Sequence, residues 1–251
     1  MTSPFPPIHN AEGERLDVTY HPPSQSDSSV PRQIVVLAHG VTSNKDRPWL
    51  MAIAESLASE GIASLRMSFA GNGASEGRYE DATPSKEAED LGSVIDVLVE
   101  SGVTRVAYAG HSMGGAVGVL RASRDERIDA LVSLAGMVHV AAFMQRHCGH
   151  LTPGRDLMFD KPGCLWTQTM KEDAERIGSL LSQAARIGVP WLLVHGDADE
   201  LVPLQDALDA RKAAGGRPDL VTLSGVDHRF TGALPAMVDA VVPWLVRQMR
   251  S

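Results

Sequence analysis

Cysteine is scarce in this chain, with only Cys148 and Cys164 among 251 residues. Two thiols cannot frame a disulfide-stapled fold, and both are expected to be reduced in a cytoplasmic protein. No apolar run reaches the roughly 18 residues that a membrane-spanning helix requires. Met1 to Pro7 lacks the basic start and apolar run of a secretory signal, so the expected location is the cytoplasm, with no membrane partner. A basic block is missing too. Lys and Arg number 23 against 31 Asp and Glu, a formal charge of −8. Phosphate attraction needs clustered positive charge, so nucleic acid is excluded as an expected partner.

What is present is ordinary for a folded globular chain: 43% hydrophobic and 22% charged residues. Short β-branched runs alternate with longer stretches whose apolar residues stand three or four apart. That is the texture of an α/β fold, a mostly parallel central sheet flanked by helices. Strands are read at Arg15 to Tyr20 on an edge, then Ile34 to Ala38, Ile62 to Phe69, Thr104 to Ala109, Ile128 to Ala135, Val189 to Val194 and Leu220 to Leu223. His21 begins a polar loop after the first of these.

Helices are expected at Pro48 to Glu60, from Thr83-Pro84 onward, after Ser112 to about Ser123, and from Leu234 to Met249. Thr83 reads as a cap followed by proline at the first helical position. Pro243 should kink or interrupt the last helix. Residues 137–186 break the alternation, with bulky side chains scattered among glycines and prolines. They read as a cap inserted into a core formed by 1–136 and 187–251.

Gly110-His111-Ser112-Met113-Gly114 is a G-x-S-x-G set where a strand turns directly into a helix. Such a turn lifts the serine to the sheet edge, and glycines two positions away on each side remove Cβ atoms that would collide. A serine hydroxyl needs a base, and the base needs an acid that fixes its tautomer. Later in the chain, His195-Gly196-Asp197-Ala198-Asp199-Glu200 supplies carboxylates after one strand, and Val226-Asp227-His228 supplies a histidine after the next. The tetrahedral intermediate also calls for two backbone N–H donors. One belongs to Met113, directly after the serine, and the other to the loop after Ile34 to Ala38.

Leu37 to Asp46, Gly110 to Gly115, His195 to Pro203 and Asp227 to Phe230 together resemble the serine α/β-hydrolases. The similarity is to small bacterial esterases, including feruloyl and cinnamoyl esterases, and to serine aminopeptidase-like hydrolases. It implies the α/β-hydrolase fold, with Ser112 as nucleophile, His228 as general base and Asp199 as the orienting acid. Asp197 ranks second for the acid and Asp227 third. Val41 is implied as the second oxyanion donor beside Met113.

The activity implied is hydrolysis of small to medium carboxylic esters, aromatic ones included, through an acyl-Ser112 intermediate. Peptidase, thioesterase and acyltransferase chemistry use the same residues, and a non-catalytic binding protein is the remaining alternative. Neither cofactor nor metal is called for. Partners reduce to a small-molecule ester and water, while oligomeric state is not legible.

His39, His111 and His195 each stand beside a glycine at a strand end and are expected to hydrogen-bond loop backbone. His147, Cys148, His150 and Cys164 fit no closed zinc spacing. Gly71 to Gly77 lacks the Lys-Ser/Thr ending of a phosphate cradle, and the resemblance makes it a loop beside the active site.

Overall fold

Central strands rich in Val, Ile, Leu and Ala are buried on both faces, and here the two faces lead to two separate cores. A computed structural model describes residues 3–24 and 30–250. The polar loop after His21 runs into residues 25–29, and the chain start includes residues 1–2, all outside the described residues. Seven strands appear among those described: β1 (Val18–His21), β2 (Gln33–Ala38), β3 (Ala63–Met67), β4 (Arg105–His111), β5 (Ile128–Leu134), β6 (Trp191–Gly196) and β7 (Asp219–Leu223). They form one sheet in the order β1-β3-β2-β4-β5-β6-β7. Only β1 is antiparallel, pairing with β3. This is the α/β-hydrolase architecture.

Side chains alternate across a strand, so Ile34, Val36 and Ala38 of β2 enter one core and Val35 and Leu37 the other. Helix α1 (Pro48–Ser59) and the last helix (Leu234–Arg250) close the second core. Leu50, Ile53 and Leu57 of α1 are fully buried there, each contributing about 1.5–3 kcal/mol by removal from water. On the opposite face lie α2 (Pro84–Glu100) and α3 (Met113–Ala122). The Thr83 hydroxyl accepts from the Lys86 N–H at 3.2 Å, the cap expected from Thr83-Pro84.

Between β5 and β6 the chain forms α4 (Val140–Cys148), α5 (Gln168–Ile177) and α6 (Leu181–Arg186). Two further helices follow, α7 (Leu204–Ala213) between β6 and β7, and α8 (Leu234–Arg250) at the end. Helix α8 runs unbroken through Pro243, contrary to the interruption considered from sequence. Pro243 and Asp239, whose carbonyl loses its partner, are both on the exposed face, so the lost bond does not lie in the core, where Val241, Leu245 and Met249 stay buried. No described helix is long and apolar enough to cross a membrane.

Candidate active site

Strand β4 ends at His111 and α3 begins at Met113, leaving Ser112 alone to make the turn. Its φ of 55° and ψ of −116° are strained for a residue with a side chain. The surroundings hold it there: its N–H donates to the Leu134 carbonyl at 2.9 Å, and its own carbonyl accepts from Gly115 at 2.9 Å and Met137 at 3.3 Å. A Cβ at residue 110 would lie 2.1 Å from the Gly114 carbonyl oxygen, and one at residue 114 would lie 2.5 Å from the His39 oxygen. Both glycines are therefore needed for the elbow to close. Gly40 has the same role across the site, since a Cβ there would stand 2.7 Å from the Ser112 Cβ.

Loops at the carboxyl ends of β2, β4, β6 and β7 surround a cavity of about 380 Å³, lined by Ser112 and His228 among others. That size suits a small to medium ligand. The Ser112 hydroxyl makes no hydrogen bond among the described residues. Val41 also lines the cavity, and neither its N–H nor that of Met113 has an acceptor among the described residues.

His228 Nδ1 donates to Asp199 Oδ2 at 2.8 Å. The same oxygen lies 3.3 Å from His195 Nε2, and Oδ1 accepts from the N–H groups of Leu201 at 2.9 Å and Val202 at 2.8 Å. The Asp199 side chain is entirely buried. Burial alone would raise its pKa, but the hydrogen bonds from His195 and His228 hold the carboxyl well below the ordinary carboxylate range. An ionised Asp199 can only accept, so the proton of this contact sits on His228 Nδ1.

The other two carboxylates considered from sequence are engaged elsewhere. Asp197 accepts from the Gly225 N–H at 2.6 Å, and Asp227 accepts from Arg229 and Thr231 in its own turn. Glycine-adjacent histidines bond backbone as expected. His39 Nδ1 meets the Gly40 carbonyl at 2.8 Å, His111 Nε2 the His228 carbonyl at 2.8 Å, and His195 Nε2 the Val202 carbonyl at 2.9 Å. His195 also touches Asp199, a link that its position beside Gly196 did not reveal. Burial drives the His39 pKa down to about 4 and pushes that of His111 well below its ordinary value.

Residues 137–186 contribute Phe143, Phe159 and Lys161 to the cavity wall, and the Lys161 ammonium donates to the Thr42 carbonyl. Sequence reasoning could not select these three, nor Arg47 and Trp49 at the start of α1, because no periodicity marks a pocket wall. Cys148 and Cys164 are both buried and unbridged. Gly71 to Gly77, expected as a strand-exit loop beside the site, follows β3 at the carboxyl edge of the sheet next to Asn44 and does not itself line the cavity. Instead it folds onto the N-terminal segment, where Ser75 accepts from Asp17 and Glu76 from Arg15.

Comparison with known proteins identifies the family and the fold. The family described as serine aminopeptidase, S33, matches residues 29–168. Mouse mitochondrial palmitoyl-protein thioesterase ABHD10 is 26% identical over 208 residues, spanning 78% of this chain and 69% of that protein. Among solved structures, the esterase Est1E of Butyrivibrio proteoclasticus bound to ferulic acid superposes with a TM-score of 0.84 at 24% identity, covering 97% of this chain and 99% of that one. The Pyrococcus furiosus esterase Pf2001 gives 0.75 at 19% identity, covering 98% and 92%. At such identities the two structural likenesses speak for the fold. With more than half of its length matched, this chain belongs to the serine aminopeptidase S33 family of α/β-hydrolases.

Proposed function

We propose that the protein is a serine carboxylic ester hydrolase acting through an acyl-enzyme on small to medium esters. The observation that carries this reading is the buried Asp199 carboxylate fixing His228 at 2.8 Å, with His228 and the strained Ser112 on one cavity wall. In the proposed cycle, His228 Nε2 takes the Ser112 proton as Oγ attacks the ester carbonyl. The oxyanion that forms accepts from the Val41 and Met113 N–H groups. Imidazolium then protonates the departing alkoxide, the acyl group stays on Ser112, and water activated by the same histidine releases the acid. A serine–histidine bond absent without substrate is common, because such contacts tighten when substrate binds.

Residues 137–186 act as the cap in this account, setting acyl preference through Phe143 and Phe159. The buried free thiols and the reading from sequence support a cytoplasmic location. Likeness to a palmitoyl-protein thioesterase favours one second reading, thioester cleavage by the same residues.

Hydrolysis of matched 4-nitrophenyl esters, acyl thioesters and aminoacyl anilides, each compared between the wild type and Ser112→Ala, tests both. Ester turnover lost in Ser112→Ala is expected. A kcat/KM ranking led by thioesters would favour the second reading, and a ranking led by anilides would overturn both.

A further inference from the structure

Three cationic side chains, Arg47, Lys161 and Arg229, line the Ser112 cavity, and no Asp or Glu among the described residues does. This is unexpected in a chain with 31 acidic and 23 basic residues. A second groove of about 380 Å³ adjoins the cavity and shares Arg47, Trp49 and Arg229 with it. It too is lined without a carboxylate.

None of the three cations forms an ion pair with a described carboxylate. Arg47 donates to the Ser43 hydroxyl at 2.6 Å and its guanidinium carbon lies 5.8 Å from the Trp49 ring centroid. The Lys161 ammonium donates to the Thr42 carbonyl. Asp227, which feels the charge of Arg229, accepts at Oδ1 from the backbone N–H groups of Arg229 and Thr231. Nearby Asp46 is taken by Lys45 and Arg66. The positive charges of Arg47 and Lys161 extend to His39, where they oppose its protonation.

Trp49 supplies an independent observation. It is 7% exposed, lies between cavity and groove, and its indole N–H is buried without a hydrogen-bond acceptor among the described residues. The indole N–H is closed off from the cavity, so Trp49 contributes its ring, under the Arg47 guanidinium, to the wall shared by cavity and groove.

We infer that the junction of cavity and groove, at Arg47, Trp49 and Arg229, is a subsite for a carboxylate carried by the substrate. Guanidinium groups present paired N–H donors that match a carboxylate, and the Trp49 ring, 5.8 Å from the Arg47 guanidinium carbon, supports one of them. The substrate class becomes esters of dicarboxylic acids or of hydroxy acids, with one carboxylate free and one ester at Ser112. This inference rests on the ester-hydrolase reading for the reaction, whereas the anion site itself can be tested without turnover.

The test compares calorimetric binding of 5-oxo-5-phenylpentanoate, a ketone that cannot be hydrolysed, with that of its primary amide, of nearly equal shape and no charge. The wild type is expected to bind the acid about tenfold tighter than the amide at low salt, the difference made by one charge-assisted contact. That preference should shrink with added salt and fall below about twofold in both Arg47→Gln and Arg229→Gln. Salt dependence of the unmodified protein guards against a variant that folds poorly. Equal binding of acid and amide by the wild type, or a preference that survives both substitutions, would overturn the inference. Failure of Ser112→Ala to lose ester turnover would instead count against the catalytic reading and leave this binding result standing.

Discussion

His111 Nε2 donates to the backbone carbonyl of His228 at 2.8 Å, so the residue before Ser112, the proposed nucleophile, anchors the backbone of the histidine proposed as its base. The two rings stand 4.7 Å apart at 49°. Burial and the neighbouring His228 keep His111 uncharged, which makes it a fixed donor rather than a second titrating group.

Replacing this donor while keeping a ring, as in His111→Phe, should loosen the His228 backbone without removing any reacting group. Misplacement of a catalytic group by about 1 Å can cost on the order of 100-fold, so kcat is expected to fall roughly 10- to 100-fold. KM should stay within about threefold. Steady-state kinetics separate the two, and an equal loss in both parameters would mean that His111 binds substrate instead.

Asp199 and Asp197 are two residues apart yet differ in consequence. Asp199→Asn leaves His228 with the wrong tautomer and should lower kcat by about 10⁴-fold, as expected when a triad acid becomes an amide. Asp197→Asn keeps an oxygen that can accept from the Gly225 N–H, loses only the charge, and should cost far less activity. His195→Phe, which withdraws a second donor from Asp199, is expected to fall between them, near tenfold. Kinetics of the three variants with one ester rank these roles.

Much of this arrangement was legible from sequence because it depends on backbone geometry. Gly110 and Gly114 flank Ser112 where a strand meets a helix, and the collisions their Cβ atoms would make are local consequences of that turn. Order along the chain pointed to the loops after β6 and β7 for Asp199 and His228. Choosing Asp199 over Asp197 rested on resemblance, and its hydrogen bonds to Leu201 and Val202 supply the physical reason. The cationic wall was hidden because Arg47, Lys161 and Arg229 come from three separate segments. Buried Glu87 was hidden for a different cause: on α2 it sits among apolar positions that spacing alone assigns to the core.

Acid should destabilise the fold through His39. Its pKa is about 4 when folded and about 6.5 when exposed, so the unfolded chain binds the extra proton between those values and stability falls as pH drops. The window of roughly 2.5 units corresponds to about 3 kcal/mol at most. Urea denaturation at pH 7 and pH 4.5 should show His39→Asn losing less stability across that interval than the wild type.

Alkali should act through Glu87 with the opposite sign. Glu87 is buried, its Oε2 has no partner among the described residues, and burial beside Asp90 raises its pKa well above the ordinary value. The folded state therefore holds a proton that the unfolded chain releases above about pH 4.5, and stability declines as pH rises from there towards the folded pKa. Glu87→Met removes that release. Its stability relative to wild type, from urea midpoints, should increase from pH 5 to pH 8.

The most direct test is where a fluorophosphonate probe attaches, read by mass spectrometry of the digested protein. A single adduct on Ser112, formed much more slowly in His228→Ala, is the predicted result. Labelling at any other serine, or an unchanged rate at Ser112 in His228→Ala, would contradict a hydroxyl activated by that imidazole.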